Sequence, residues 1–317
     1  MLVAITGASG FVGRHLVDLH VKRGDRVRVL KRASPAGVMP AGIEVIAGDI
    51  AVPDRRLRDF ASGADVLYHC AANLHDEKSM QAVNVDGTRH LAAAARGAVG
   101  RWIQVSSVAV YGRAERGTIS ESSPLAPDTV YGRTKREAEN IVQAAAASGA
   151  FACCTVRPST IFGCDMPNRS LFQLVAMIRK GLFFFIGRPG AVMNYVHVDS
   201  VAAALAECAT RTEATGRIYN LSEAMTLERF VEIVAHELGA RPPSLRLPEA
   251  PLRVLAAAAG VLPRFPLTGA RVDALTNRNV YSAAGIANEL AYNPVMSLEA
   301  GLRKFVRTWM NTRAHAS

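Results

Sequence analysis

The chain has little that could brace a fold from outside a hydrophobic core. Its five cysteines (Cys70, Cys153, Cys154, Cys164 and Cys208) are odd in number, and none belongs to a C-x-x-C pair. That excludes a disulfide framework and a zinc-ligand pattern, so no metal is expected and the thiols read as buried apolar groups. No apolar run approaches the roughly 20 residues of a membrane-spanning helix. The nearest, 254–262, is Ala-rich and about half that length. A leader pattern is missing too: Met1 runs straight into Leu2-Val3-Ala4-Ile5 with no basic region or cleavage site, which makes the cytoplasm the expected location. The arginines are scattered among acids and no nucleic-acid motif occurs. The formal net charge of +10 at pH 7 therefore points to an anionic small molecule, not to nucleic acid.

What remains is an ordinary globular composition, half hydrophobic and one-fifth charged, with 317 residues to bury a main domain and a smaller companion. Short β-branched runs at 2–6, 26–30, 43–47, 66–70, 102–106 and 152–157 alternate with helical stretches at 11–23, 80–96 and 130–147. Near-continuous apolar strands between helices predict a parallel sheet covered on both faces, a doubly wound α/β (Rossmann) domain. Further on, a helix is expected at 171–180, then the run Phe183-Phe184-Phe185-Ile186 and a Gly/Pro turn. Strands at 195–198 and 218–221 and a capped helix at 226–238 follow, and from Pro242 onward the Pro- and Arg-rich chain reads as loops with short helices. The expected division is a dinucleotide-binding domain of 1–165 plus about 194–222, and a C-terminal substrate-binding lobe of 166–193 and 223–317.

The first strand runs into Thr6-Gly7-Ala8-Ser9-Gly10-Phe11-Val12-Gly13, which opens the first helix. A tight turn needs Gly7, close approach of backbone to pyrophosphate needs Gly10, and helix–strand packing needs Gly13. The free N–H groups of the helix start then face the phosphate charge, so Gly7 to Gly13 are assigned to a dinucleotide. After the second strand come Lys31 and Arg32, with no acid to hold a ribose 2′-hydroxyl. Two cations suit a 2′-phosphate, which favours NADP(H), with NAD(H) as the alternative. Downstream, Tyr131 and Lys135 stand four residues apart on one face of a helix. A phenol with a pKa of about 10 is a poor base at neutral pH. A neighbouring ammonium and a positive nicotinamide ring would both favour the phenolate.

The G-x-x-G-x-x-G spacing and the Tyr-x-x-x-Lys pair resemble the extended short-chain dehydrogenase/reductase (NAD(P)-dependent epimerase/dehydratase) family of sugar epimerases, dehydratases and ketoreductases. The resemblance implies a role near the adenine for Asp49 and Ile50 in Gly48-Asp49-Ile50. It lays the cofactor against the small residues Ala71 and Ala72, and beside Pro158 of Val156-Arg157-Pro158-Ser159. Counting back from Val110-Tyr111-Gly112, it makes Ser107 the catalytic hydroxyl that hydrogen-bonds the substrate oxygen, completing a triad with Tyr131 and Lys135. Asn84-Val85-Asp86-Gly87-Thr88, Tyr195-Val196-His197-Val198-Asp199 and Glu289-Leu290-Ala291-Tyr292-Asn293-Pro294 are further family marks, with His197 structural.

Departures from the family pattern narrow the reaction. Dehydratases carry an Asp-Glu pair where this chain has Val108 and Ala109, so elimination of water is not expected. Ketoreduction, 4-epimerisation or alcohol oxidation remain. The favoured substrate is a nucleotide sugar, with a lipophilic sterol- or flavonol-like ketone or alcohol as the rival, which the apolar stretch 251–262 suits. Met193 stands where related epimerases hold diphosphate with an arginine, so Asn168, Arg169, Arg271 or Arg278 would have to make that contact. A non-catalytic nucleotide sensor is the reading of another class, disfavoured because Tyr131 and Lys135 are both retained. The family also implies a homodimer, through Ala-rich faces at 91–95 and 144–147.

Overall fold

The computed structural model describes residues 1–32, 40–74, 76–113, 117–259 and 268–314. Strands β1 (Leu2–Thr6), β2 (Arg26–Lys31), β3 (Glu44–Ala47), β4 (Ala64–His69) and β5 (Val99–Val105) join Ala152–Pro158 and Ile218–Leu221 in one seven-stranded sheet. From edge to edge the order is Ile218–Leu221, Ala152–Pro158, β5, β4, β1, β2, β3, and every pairing is parallel. Such strands are buried on both faces and must be apolar throughout. In β1, Val3, Ala4 and Ile5 are all fully buried. Helix α1 (Phe11–Lys22) and the Val198–Thr210 helix cover one face, packing Leu16, Val17, Val201 and Leu205 onto it. The Arg55–Ala61, Gly87–Ala95 and Val130–Ala147 helices cover the other with Leu57, Phe60, Leu91 and Val142. Strand order runs outward from β1 in both directions, so the crevice beyond the carboxyl ends of β1 and β4 is where this architecture takes a ligand.

After Ser159 the chain builds a second centre. Thr160–Phe162, Val192–His197 and Glu223–Thr226 form a three-stranded sheet. Below it, Leu171 and Val175 of the Ser170–Arg179 helix meet Phe230 and Val234 of the Leu227–Glu237 helix. Where loops with short helices are expected at the C-terminus, the structure has a 17-residue helix, Leu298–Ala314. Leu298, Leu302, Phe305, Val306 and Trp309 recur at helical spacing and all enter this core. The Val198–Thr210 helix is also absent from the sequence reading. Ten of its 13 residues are buried, so it is apolar nearly all round and carries no amphipathic period to recognise.

The helix expected at 80–96 is interrupted. Glu77–Met80 passes into a π-helical Gln81–Asp86 before Gly87–Ala95 continues as α-helix. The widened turn lets Asn84 reach the loop after β4, where its Oδ1 accepts from Asn73 N–H at 2.7 Å and its Nδ2 donates to the Asn73 carbonyl at 3.0 Å. Of the apolar stretch 251–262, residues up to 259 belong to the Glu249–Ala259 helix, and 260–262 lie outside the described residues. That helix seats Leu252 and Ala256 against Ile186 and Val272. Among the described residues no helix is long and apolar enough to cross a membrane.

Candidate active site

Gly7 opens the turn between β1 and α1 in the left-handed region, at φ +66°. A Cβ at Gly7 would lie 2.7 Å from the Ala71 nitrogen, and one at Gly13 would fall on the Gly7 carbonyl. The glycines thus let the loop lie flat between the carboxyl end of β4 and the start of the helix. At that start, the Arg55–Ala61, Val130–Ala147 and Leu227–Glu237 helices are capped by Asp54, Thr129 and Thr226, whereas α1 has no side-chain cap and no acid in its first turn. Uncapped N–H groups above a loop of small residues, Gly7 to Gly10, fit a phosphate anion. Ser9 and Gly10 are exposed beside them, and Ala71 and Ala72 line the adjacent strand end half-buried.

The neighbouring strand ends are consistent with the rest of a dinucleotide. Lys31 closes β2 and its carbonyl accepts from Gly48 N–H at 3.0 Å, which brings Asp49 and Ile50 beside it. Arg32, the residue that follows β2, is exposed, and the acid at this strand end is Asp49 of the neighbouring turn. Asp49 Oδ1 accepts from Ala51 N–H at 2.9 Å, so this carboxylate shapes its own turn, and Ile50 is buried against Gly87. Pro158, also buried, ends the strand next to β5.

Ser107 begins the short turn Val108–Tyr111, and its Oγ accepts from Ala109 N–H at 3.2 Å. The Val130–Ala147 helix must come close for Tyr131 to meet it. Gly132 permits that approach, because a Cβ there would stand 2.5 Å from the Ala109 carbonyl. The Tyr131 phenol is hydrogen-bonded to Ser107, yet burial outweighs this contact and pushes its pKa up to about 12. Lys135 Nζ donates to the Val105 carbonyl at 2.6 Å, at the carboxyl end of β5. Burial draws this ammonium down to about 8, opposed by Glu139 and then by Cys70. The expectation that Lys135 lowers the phenol is therefore not what the chain itself does. Its ammonium is engaged with the Val105 carbonyl, and desolvation governs Tyr131.

This corner of the site rests on a polar network that sequence reasoning did not assemble. Arg157 and Glu139 form a bidentate ion pair buried to 2% and 1% exposure. Arg157 also donates to the Tyr111 hydroxyl at 2.9 Å, and that hydroxyl donates to Asn220 Oδ1 at 2.8 Å. The sequence carries a signal for one member only: Tyr131, Lys135 and Glu139 follow at i, i+4 and i+8 on one helix face, which does not point to Arg157. His197, in contrast, caps the Val198–Thr210 helix by accepting from Asp199 N–H at 3.2 Å and lies edge-on to Phe162, a structural setting.

Next to Gly112 a cleft of about 460 Å³ opens between this turn and the second centre. Arg113, Asp273, Asn277, Asn279 and Tyr281 line it. Asp273 bridges Arg113 at 2.9 Å and Arg253 at 2.7 Å. Asn168 and Arg271 do not border this cleft. Asn168 Oδ1 accepts from Ser170 N–H at 2.8 Å, and Arg271 donates to Gln173 Oε1 at 2.6 Å. Arg169 is exposed at the start of the Ser170–Arg179 helix, and Met193 is buried in the second core. Arg278 reaches the cleft but donates to the carbonyls of Arg188 and Pro189, both at 2.7 Å. A further cavity of about 440 Å³ beside Phe185, Thr226 and Pro243 contains none of the motif residues. No group of three or more potential metal ligands occurs among the described residues.

Residues 3–222 match the family model described as the NAD dependent epimerase/dehydratase family. The chain is similar to the ceramide reductase of Caulobacter vibrioides, 35% identical over 304 positions covering 92% of this chain and 84% of that one. It is also similar to the 4-hydroxy-2-methyl-3-oxo-4-farnesyl-3,4-dihydroquinoline-1-oxide ketoreductase of Stigmatella aurantiaca, 33% identical over 72% of this chain and 70% of the relative. Among solved structures, gox2253 superposes with a TM-score of 0.78 at 26% identity, covering 99% of this chain and 98% of that one.

Proposed function

Because the chain belongs to the NAD dependent epimerase/dehydratase family, as an oxidoreductase of the extended short-chain type, we propose that it reduces a ketone on a lipophilic substrate with NADPH. Bound NADPH would supply the hydride. The protein's part is to hold the ketone and deliver the proton. Ser107 Oγ donates a hydrogen bond to the carbonyl oxygen, and Tyr131 transfers its phenolic proton to that oxygen as the alkoxide forms. Lys135 holds the nicotinamide ribose, and Gly7 to Gly13 with the start of α1 hold the pyrophosphate. The observation that carries this reading is the Ser107–Tyr131 hydrogen bond between two half-buried side chains, with the phenol raised to about 12 by desolvation. Such a group is fully protonated at neutral pH and ready to donate, as reduction requires.

Two features support a lipophilic ketone over the nucleotide sugar that the sequence favours. The relatives named as reductases act, by their names, on a ceramide and on a farnesylated quinoline oxide. Of the side chains nominated for a diphosphate, Asn168, Arg271 and Arg278 are engaged within the protein and, among the described residues, Arg169 alone stands exposed without such an engagement, while Met193, in place of an arginine, is buried. A nucleotide sugar is the second reading, favoured by the arginine-rich lining of the cleft. The deciding experiment follows NADPH oxidation with a long-chain keto-lipid and with a 4-keto nucleotide sugar. Turnover of the keto-lipid is expected, and turnover of the keto-sugar alone would overturn the proposal.

A homodimer through the Val130–Ala147 helix is part of this reading, but on a narrower face than the sequence implies. Leu91, Ala92 and Ala95 are core residues under the sheet, whereas Ala144 and Ala147 are exposed. Light scattering on the purified protein tests it, with a monomer as the overturning result.

A further inference from the structure

The Glu249–Ala259 helix is built almost wholly of apolar residues, and after Glu249 its one charged side chain is Arg253. A helix apolar nearly all round belongs in an interior. Here one side alone is covered, where Leu252 and Ala256 seat against Ile186 and Val272. Val254 and Leu255 turn outward, 70% and 47% exposed, and Ala250, Pro251 and Ala257 are exposed with them. The ribbon beneath adds to this surface. Phe185–Ile186 pairs in parallel with Arg246–Leu247, and strand alternation turns Leu245 to the side of the ribbon that Leu247 shares with the helix. Leu245 is exposed as well.

The charge in this part of the lobe has one sign. Residues 166–193, 241–259 and 268–281 hold nine of the chain's 37 Lys and Arg but only two of its 27 acids, Glu249 and Asp273. Both acids are neutralised from within: Arg253 Nε donates to Glu249 Oε1 and Nη1 to Asp273 Oδ1, each at 2.7 Å. Lys180, Arg188 and Arg241 are exposed. Single apolar side chains are ordinary on a protein surface. An outward apolar helix face set among cations is instead what binds at the headgroup level of a lipid bilayer. We infer that this helix and its ribbon dock on an anionic phospholipid bilayer, with Val254 and Leu255 entering the acyl boundary and the cations meeting lipid phosphates. A second copy of the chain fits less well, because a two-fold contact would set like charges against each other. Through Glu249 and Arg253 the same helix lines the cleft beside Gly112, so docking brings that cleft next to the bilayer. The lipophilic ketone of the proposed function would then have a short route to the site, but the inference itself stands on this surface alone.

The test is flotation of the purified full chain with vesicles of equal parts phosphatidylcholine and phosphatidylglycerol, and with vesicles of phosphatidylcholine alone, in the absence of NADPH and ketone. The anionic vesicles should carry the protein, the neutral ones little of it, and raised salt should weaken the binding. Val254→Glu with Leu255→Glu should lower the bound fraction by about tenfold or more at unchanged Tm, since both side chains are exposed. Val52→Glu, at an exposed site in the sheet domain, should leave binding as it was. Leu255→Trp should give blue-shifted emission when anionic vesicles are added, against the steady signal of the buried Trp102 and Trp309. No binding, equal binding to both vesicles, or binding indifferent to Val254→Glu with Leu255→Glu overturns the inference. So does a dimer that this variant dissolves while vesicle binding persists, since the face would then belong to a second copy. Vesicle binding without turnover of a keto-lipid overturns the lipophilic-ketone reading and leaves the docking surface standing.

Discussion

The seven-stranded sheet and the second centre solve the same packing problem by different means. In the sheet, strand ends converge on one edge, so residues far apart in sequence such as Gly7, Ala71, Ser107 and Pro158 arrive at one crevice through the strand order. Position there follows from topology. In the second centre, short strands and helices meet at varied angles and are tied by individual contacts, such as the fork of Arg253 onto Glu249 and Asp273. Position there follows from pairwise chemistry. The first arrangement suits a cofactor shared by many enzymes, and the second suits a substrate that differs between them.

Four changes would break or sharpen this contrast. The largest effect belongs to the sheet edge. Tyr131→Phe should lower turnover by about 100- to 10,000-fold while NADPH still binds, measured by steady-state rates beside a binding titration. Near-normal turnover would remove Tyr131 from the chemistry. In the second core, Phe305→Ala should cost about 3–5 kcal/mol in chemical denaturation. A loss below about 1 kcal/mol would mean that the C-terminal helix is not the brace its burial indicates. Back at the sheet, Lys31→Asp should shift preference from NADPH toward NADH by roughly tenfold or more, since a charge-assisted contact contributes about 1.5–3 kcal/mol. Equal preference before and after the change would dismiss the 2′-phosphate assignment. The smallest effect is expected from Asp273→Asn, which loosens exposed and half-exposed pairs in the cleft and should change stability by under about 1 kcal/mol. A change in KM for the ketone with unchanged Tm would show that the cleft touches substrate, and a large fall in Tm would show that the ion pairs hold the fold.

Much of the site was legible in the sequence because its motifs report local backbone needs. Gly7 requires a positive φ, Gly13 requires contact with a carbonyl, and the four-residue spacing of Tyr131 and Lys135 puts them on one helix face. The Glu139–Arg157 pair was not legible, because nothing local links a helix residue to a strand residue 18 positions later. Asn168 and Arg271 were nominated by charge and polarity alone, and the structure gives each a neighbour within the protein.

The sequence by itself determined the parallel sheet, the glycine loop and the facing of Tyr131 and Lys135, since periodicity and steric demand act within a few residues. The tertiary structure alone decided that Lys135 rests on the Val105 carbonyl, that desolvation raises the Tyr131 phenol, and that Arg113 and Arg253 in the cleft pair with Asp273. Those outcomes depend on desolvation and on distances between separate elements, which chain order does not encode locally.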